Sequence, residues 1–190
     1  MNRSLFIRTL LAVAVIACST GAQAEVAKNP PPAHKLQGYS GYELKPVTMN
    51  PELAEKKNID KVVAKVQENL SKNVGAVVTG WNSSADASAK EKLVIEPYIE
   101  SLHKPSGANR FFAGAAAGNG RILMKVKITE QPSGKVVAEP EFYRQANAMA
   151  GAWTLGAHDN AMLEKVTQLL ANYLSANYSE AVGGDTGFEP

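Results

Sequence analysis

The apolar positions of this chain change period several times, and each period predicts an element. From Ile59 onward, Val62, Val63, Val66 and Leu70 recur at steps of three and four, while Lys61, Lys65, Glu68 and Lys72 take the opposite positions. That spacing predicts an amphipathic helix lying on a core. Asn50-Pro51 supplies its start signal, an N-cap residue followed by Pro at the first helical position. Lys56-Lys57-Asn58 interrupts the apolar stripe, so the first turns are expected to fray. Before the helix, Tyr42 to Met49 reads as a short strand, which Pro46 assigns to a sheet edge.

After the helix, Val74 to Trp81 reads as a buried strand and Asn82 to Lys90 as a loop. Leu93 to Leu102 reads as a strand with Leu93, Ile95 and Ile99 on one face and a bulge or edge at Pro97. The clearest alternation sets Ile122, Met124, Val126 and Ile128 against Arg121, Lys125, Lys127 and Thr129. Period two over that length means one buried face and one wet face. Pro132-Ser133-Gly134 makes a turn, and Lys135 to Arg144 returns as the hairpin partner. Ala146 to His158 is rich in Ala and Gly and reads as a loose helix or a loop. A last helix is predicted over Asp159 to Tyr178, with Met162, Val166, Leu169, Leu170, Tyr173 and Leu174 on its apolar face. The predicted order is β-α-β-β-β-β-α. It defines an α/β (α+β) domain with a single mixed or mostly antiparallel sheet and two main helices.

The N-terminal residues follow a different logic. Arg3 and Arg8 flank no acid, an apolar run extends from Thr9 to Ala17, and small residues lead to Ala22-Gln23-Ala24. These are the basic region, apolar region and A-x-A site of a secretory signal peptide. The run is shorter than the roughly 20 apolar residues that span a bilayer. Two processing fates are open. Signal peptidase I would cut after Ala24, giving a leader over residues 1–24. Alternatively Val15-Ile16-Ala17-Cys18 resembles a lipobox, which would remove residues 1–17 and leave Cys18 as a lipidated first residue. Residues 25–41, with Pro30-Pro31-Pro32, read as an extended linker. The single domain is expected over 42–178, and residues 179–190 as a disordered tail.

Composition narrows the classes. Cys18 is the only cysteine, so disulfides, thiol catalysis and cysteine-ligated metal are excluded for the folded part. Setting Arg3 and Arg8 aside leaves 18 of the 20 basic residues against 18 acidic ones. That balance gives no global field to attract nucleic acid.

The most distinctive segment is Gly107-Ala108-Asn109-Arg110-Phe111-Phe112-Ala113-Gly114-Ala115-Ala116-Ala117-Gly118-Asn119-Gly120-Arg121, followed by the amphipathic strand and the Ser133-Gly134-Lys135 turn. An Asn-Arg pair, aromatic residues, a Gly/Ala-rich stretch, a strand, a Ser/Thr-Gly-Lys turn and a C-terminal helix resemble exported bacterial proteins, often lipoproteins, of domain of unknown function family 4410. The resemblance covers roughly Tyr42 to Tyr178 and is concentrated in Gly107 to Val137. It implies an α/β envelope domain and favours the lipobox. It implies no catalytic residue.

No catalytic set emerges from the residues. Gly114, Gly118 and Gly120 are followed by Arg121 and a strand, whereas a phosphate loop needs Gly-Lys-Ser/Thr opening a helix. Arg110, beside Phe111 and Phe112, suits a carboxylate or phosphate, a stacking contact, or an ion pair bracing its loop. His34, His103 and His158 have no partners at metal-ligand spacing, and Asp159 reads as a helix cap. Glu96 and Glu100 share a strand face as a carboxylate pair or as solvated charges. Trp81, Tyr143 and Trp153 read as core or interface residues, with Trp153 suited to a partner contact. The expectation is a non-catalytic envelope protein without cofactor or metal. It would be periplasmic, or a lipoprotein of the outer membrane facing the periplasm, and would bind an envelope protein or the cell wall. The alternative is a small-anion carrier built on the glycine segment and Arg110.

Overall fold

Ile59, Val62, Val66, Leu70, Val74, Val78 and Trp81 form one buried stripe along a single helix, α1 (Ile59–Asn82). In this computed structural model the described residues are 28–103, 120–146 and 157–188. The strand expected over Val74–Trp81 is therefore the second half of α1. Its valines favour strand locally, but they continue the stripe at steps of three and four, and burial of that stripe decides. The start signal also acts differently from expectation. Asn50-Pro51 opens only a 3-10 turn, Pro51–Leu53, in which Asn50 Oδ1 accepts from the Glu52 N–H at 3.0 Å. The chain enters α1 through Asn58, whose φ of 61° lies in the left-handed region that Asn tolerates.

The fold is α+β, with two long helices among the described residues and a mixed main sheet. β2 (Tyr42–Leu44) and β3 (Thr48–Met49) run parallel to one side of β4 (Lys92–His103). β5 (Arg121–Gln131) is antiparallel on the other side, followed by β6 (Val136–Ala138) and β7 (Glu141–Gln145), both antiparallel to β5. The strand expected over Tyr42–Met49 is divided around Pro46, and the hairpin partner expected over Lys135–Arg144 around Pro140. Pro97 stands in the middle of β4 without breaking a ladder. β2 pairs with Leu93–Ile95 and β3 with Tyr98–Ile99, so Pro97 falls in the gap between them. Its neighbour on the other side, Val126, donates its N–H away to the Pro140 carbonyl at 3.0 Å. The register shift in β4 lies farther on, between Ile99 and Ser101.

One face of the sheet carries Leu93, Ile95, Ile99, Ile122, Met124, Val126, Ile128 and Phe142 into a core shared with both helices. α2 (Ala157–Ala176) contributes Met162, Leu163, Val166, Leu170, Tyr173 and Leu174. The opposite face carries Glu96, Tyr98, Glu100, Leu123, Lys125 and Lys127, with Val94 and Thr129 buried side by side.

Residues 28–41 and 179–188, within the segments expected to be linker and tail, are part of the fold. β1 (Lys28–Asn29) pairs antiparallel with β8 (Gly184–Asp185). Between β1 and β2 the chain is a strap: the Ala33 N–H donates to the Val137 carbonyl at 2.8 Å and the Leu36 N–H to the Asn177 carbonyl at 2.9 Å. Tyr173 donates its hydroxyl to the Pro30 carbonyl at 3.0 Å, and Leu36 is fully buried. The Pro-rich composition does keep this stretch extended, but it lies along the sheet edge and is anchored by isolated side chains. At the other end, buried Asn177 accepts from the Val182 and Gly183 N–H groups and donates to the Tyr173 and Gly183 carbonyls.

Two asparagines bond the backbone of flanking strands of the main sheet. Asn29 donates to the Glu141 carbonyl and accepts from the Glu141 N–H, each at 2.8 Å, on β7. Asn82 accepts from the Tyr42 N–H at 2.8 Å and donates to the Tyr42 carbonyl at 2.9 Å, on β2.

Candidate functional site

The densest group of titratable side chains joins the strap to the β5–β6 hairpin. The strap supplies His34 and Tyr39, and the end of β5 supplies Glu130. Tyr39 donates its hydroxyl to Glu130 Oε1 at 3.0 Å. His34 Nε2 lies 2.6 Å from the Tyr39 oxygen and 2.9 Å from the same carboxylate oxygen. Since the phenol proton points at the carboxylate, the imidazole Nε2–H is the donor toward Tyr39. Burial first, and the bond to Glu130 second, push the Tyr39 phenol well above its ordinary range. Beside it, Ser133 donates its N–H and hydroxyl to Glu91 Oε2, both at 3.3 Å.

An aromatic row continues inward from this group. Tyr39 meets Tyr42 edge-on at 6.0 Å, Tyr42 meets Trp81 at 5.0 Å, and Trp81 stacks on Tyr178 at 4.7 Å with the rings 23° apart. Burial raises the Tyr42 phenol as well. The polar groups at the rim therefore bond to one another, and the rings behind them fill the core. Chemically, the arrangement holds a phenol proton on a carboxylate and fixes the strap to the hairpin. A sequence reading leaves His34 in a linker and passes over Tyr39 and Glu130. Residues 34, 39 and 130 share no spacing, and only the path of the strap brings them together.

A second charged group is exposed. Glu43 accepts from both Lys45 and Lys92, the latter at 2.7 Å, and these bonds hold its carboxyl down to about 2.

The residues singled out from sequence fall in separate places. Cys18, Ala24, Arg110, Phe111, Phe112, Gly114, Gly118 and Trp153 lie outside the described residues, and with them the anion site considered for the glycine segment. Gly120 is described, its carbonyl accepting from the Ala146 N–H at 2.8 Å. Trp81 is core, and Tyr143 is half-buried with its ring edge-on to Phe188 at 5.6 Å. Glu96 and Glu100 each face a lysine: Glu96 stands opposite Lys127, and Glu100 lies 3.8 Å from Lys125. His103 is exposed at the end of β4, and His158 and Asp159 fall in the first turn of α2.

Topology nevertheless relates two of these segments. His103, Arg121 and Gln145 are in register at one end of the sheet. The chain therefore leaves the sheet into residues 104–119 and into residues 147–156 at that same end. Among the described residues, no group of three or more His, Cys, Asp or Glu is placed to hold a metal ion. No helix among them is long and apolar enough to cross a membrane.

No family model and no curated protein matches this chain. Among solved structures it is similar to the PelC dodecamer from Paraburkholderia phytofirmans, with 12% identity over 70% of this chain and 89% of that one and a TM-score of 0.42. It is similar to the hypothetical protein CT253 from Chlamydia trachomatis, with 11% identity over 74% and 100% of the two chains and a TM-score of 0.40. A putative lipoprotein from Caulobacter crescentus matches with 14% identity over 74% and 89% and a TM-score of 0.34. At these identities and scores none of them assigns this chain a family or a role.

Proposed function

We propose that this chain is an exported cell-envelope protein whose α+β domain is a non-catalytic binding module for an envelope protein or the cell wall. One observation carries the reading. Both processing positions, Ala24 and Cys18, lie upstream of Lys28, where the described fold begins with β1. Cleavage at either position leaves every described contact of the strap in place. The basic residues, apolar run and small-residue site preceding them are those of an export signal. The resemblance of the Gly107–Val137 segment to exported proteins of domain of unknown function family 4410 supports the same reading. The self-bonded His34–Tyr39–Glu130 group supports a structural rather than catalytic use of the most polar cluster described.

The experiment is intact mass of the chain isolated from membranes and from soluble envelope extract, beside Cys18→Ala. A diacyl or triacyl mass on Cys18, lost in the variant, makes it a lipoprotein facing the periplasm. A soluble chain starting at Glu25, unaffected by the variant, makes it a free periplasmic protein. An uncleaved chain starting at Met1 overturns the reading.

A further inference from the structure

Residues 28–36 of the strap are shaped by what they lie on. Asn29 bonds the Glu141 backbone, and Pro30 accepts from the Tyr173 hydroxyl. Ala33 and Leu36 donate to the Val137 and Asn177 carbonyls, and His34 reaches Tyr39 and Glu130. Lys28 and Asn29 pair with Asp185 and Gly184. Every one of these partners lies at Tyr39 or beyond. Among the described residues no hydrogen bond joins two members of 28–36. After fully buried Leu36 the chain turns at Gln37-Gly38, both exposed. Gly38 has φ +99°, and no atom lies within 4 Å of where its Cβ would stand. The body takes hold of the chain directly afterwards. The Tyr39 carbonyl accepts from the Asp86 N–H at 3.0 Å, and the Ser40 N–H donates to the Glu91 carbonyl at 2.9 Å. Residues 28–36 are therefore one unit, joined to the body through the hinge Gln37-Gly38.

We infer that two copies of this chain exchange straps, each laying residues 28–36 along the track of the other. The track specifies its occupant: an extended, Pro-rich segment with an asparagine amide at one end and a leucine at the other. A second copy supplies that segment by identity. Exchange remakes every described strap contact between chains, so only the hinge changes conformation, and the reciprocal arrangement closes on itself about a two-fold axis. Short hinges favour such exchange, because turning back within so few residues has a conformational cost. Here the cost falls on Gly38, whose positive φ folds the strap onto its own body. A strap crossing to a neighbour runs extended through the same two residues. The His34–Tyr39–Glu130 group is then assembled from two chains, its imidazole coming from the other copy. This inference stands whether or not the chain is exported.

The test is sedimentation velocity of the purified chain, refolded from urea over a concentration series, with Cys18→Ala throughout to remove the native thiol. A dimer is expected whose share rises with concentration. Gly38→Ala meets no neighbour and carries only the backbone cost of positive φ. It is expected to disfavour the turned-back hinge about tenfold, and so to strengthen a dimer containing two hinges about a hundredfold. Lys28→Cys with Asp185→Cys sets cysteines at two exposed positions in register. Oxidation of the dimer fraction should yield a covalent dimer on a denaturing gel, and oxidation of the monomer a cross-linked monomer that no longer dimerises. Circular dichroism checks the fold of each variant, and the cysteine pair decides the question even where Gly38→Ala folds poorly. A chain that stays monomeric at every concentration overturns the inference. So does a dimer whose cysteines link within each chain, or one that a folded Gly38→Ala fails to strengthen.

Discussion

Asn29 and Glu141, separated by 112 residues, bond like neighbouring strands: the asparagine amide gives one hydrogen bond to the Glu141 backbone and takes one from it. Asn29 is buried, so these bonds are shielded from water. Asn29→Ala leaves both Glu141 backbone groups without that partner and is expected to cost about 1–3 kcal/mol. Urea denaturation measures it, and an unchanged midpoint would remove Asn29 from the structural account.

The strap as a whole gives a stronger prediction. A chain starting at Glu25 retains every described contact. A chain starting at Gly41 loses buried Leu36 and Tyr39 together with the bonds of Asn29, Ala33 and Pro30. The shorter chain is expected to be less stable by about 4 kcal/mol or more. Equal stability of the two would return residues 28–40 to the status of a linker.

Two glycines separate backbone strain from steric clash. Gly134 has φ +72° with open space where a Cβ would go, whereas a Cβ on Gly187, at φ +75°, would lie 2.4 Å from Leu169 Cδ1 and 2.6 Å from the Tyr143 carbonyl oxygen. Gly134→Ala is expected to cost about 1–2 kcal/mol, the backbone cost alone. Gly187→Ala adds displacement of the C-terminal segment from β7, seen as a larger loss in urea denaturation and as faster hydrogen exchange at the Tyr143 amide, which donates to the Thr186 carbonyl at 2.7 Å.

Two groups give opposite pH dependences. Lys45 and Lys92 hold the Glu43 carboxyl down to about 2, from an ordinary 4.5. A depressed carboxyl stabilises the fold above its unfolded value, and that contribution fades as pH falls through the folded one. An NMR titration should place Glu43 near 2 and show the value rising in Lys92→Ala. Burial pushes the Tyr173 phenol up from 10 to about 12. Its contribution is complete below pH 10 and is lost as pH rises through 12. Phenolate absorbance of the wild type against Tyr173→Phe should show this phenol ionising near 12.

How much of this was legible follows from what each pattern encodes. The alternation from Ile122 to Ile128 specified β5 and its buried face, because a half-buried strand writes its two faces into the sequence. The valines from Val74 to Val78 prefer strand locally, yet they continue a buried stripe that runs unbroken from Ile59 to Trp81, and only burial along the whole stripe reveals the helix. Leu36 and Tyr39 are single apolar residues in a polar, Pro-rich stretch, so no period announces their burial. The group of His34, Tyr39 and Glu130 was invisible for a related reason. Its members meet through a strap whose course is fixed by backbone bonds to Val137 and Asn177, and a linear sequence records no such bond.

The pairing of β1 with β8 sets an order of events for the newborn molecule. The first described strand has its partner at the far end of the chain, and Leu36 waits for the carbonyl of Asn177. A polypeptide that emerges N-terminus first, from a ribosome or from a secretion channel, presents its strap long before anything exists to receive it. Contacts this distant along the chain close late, so α1 and the β4–β5 hairpin can assemble during emergence while the strap stays unfastened. The strap can be fastened only once residues 177–185 have emerged, so the folding nucleus and the closing of the fold are separated in time.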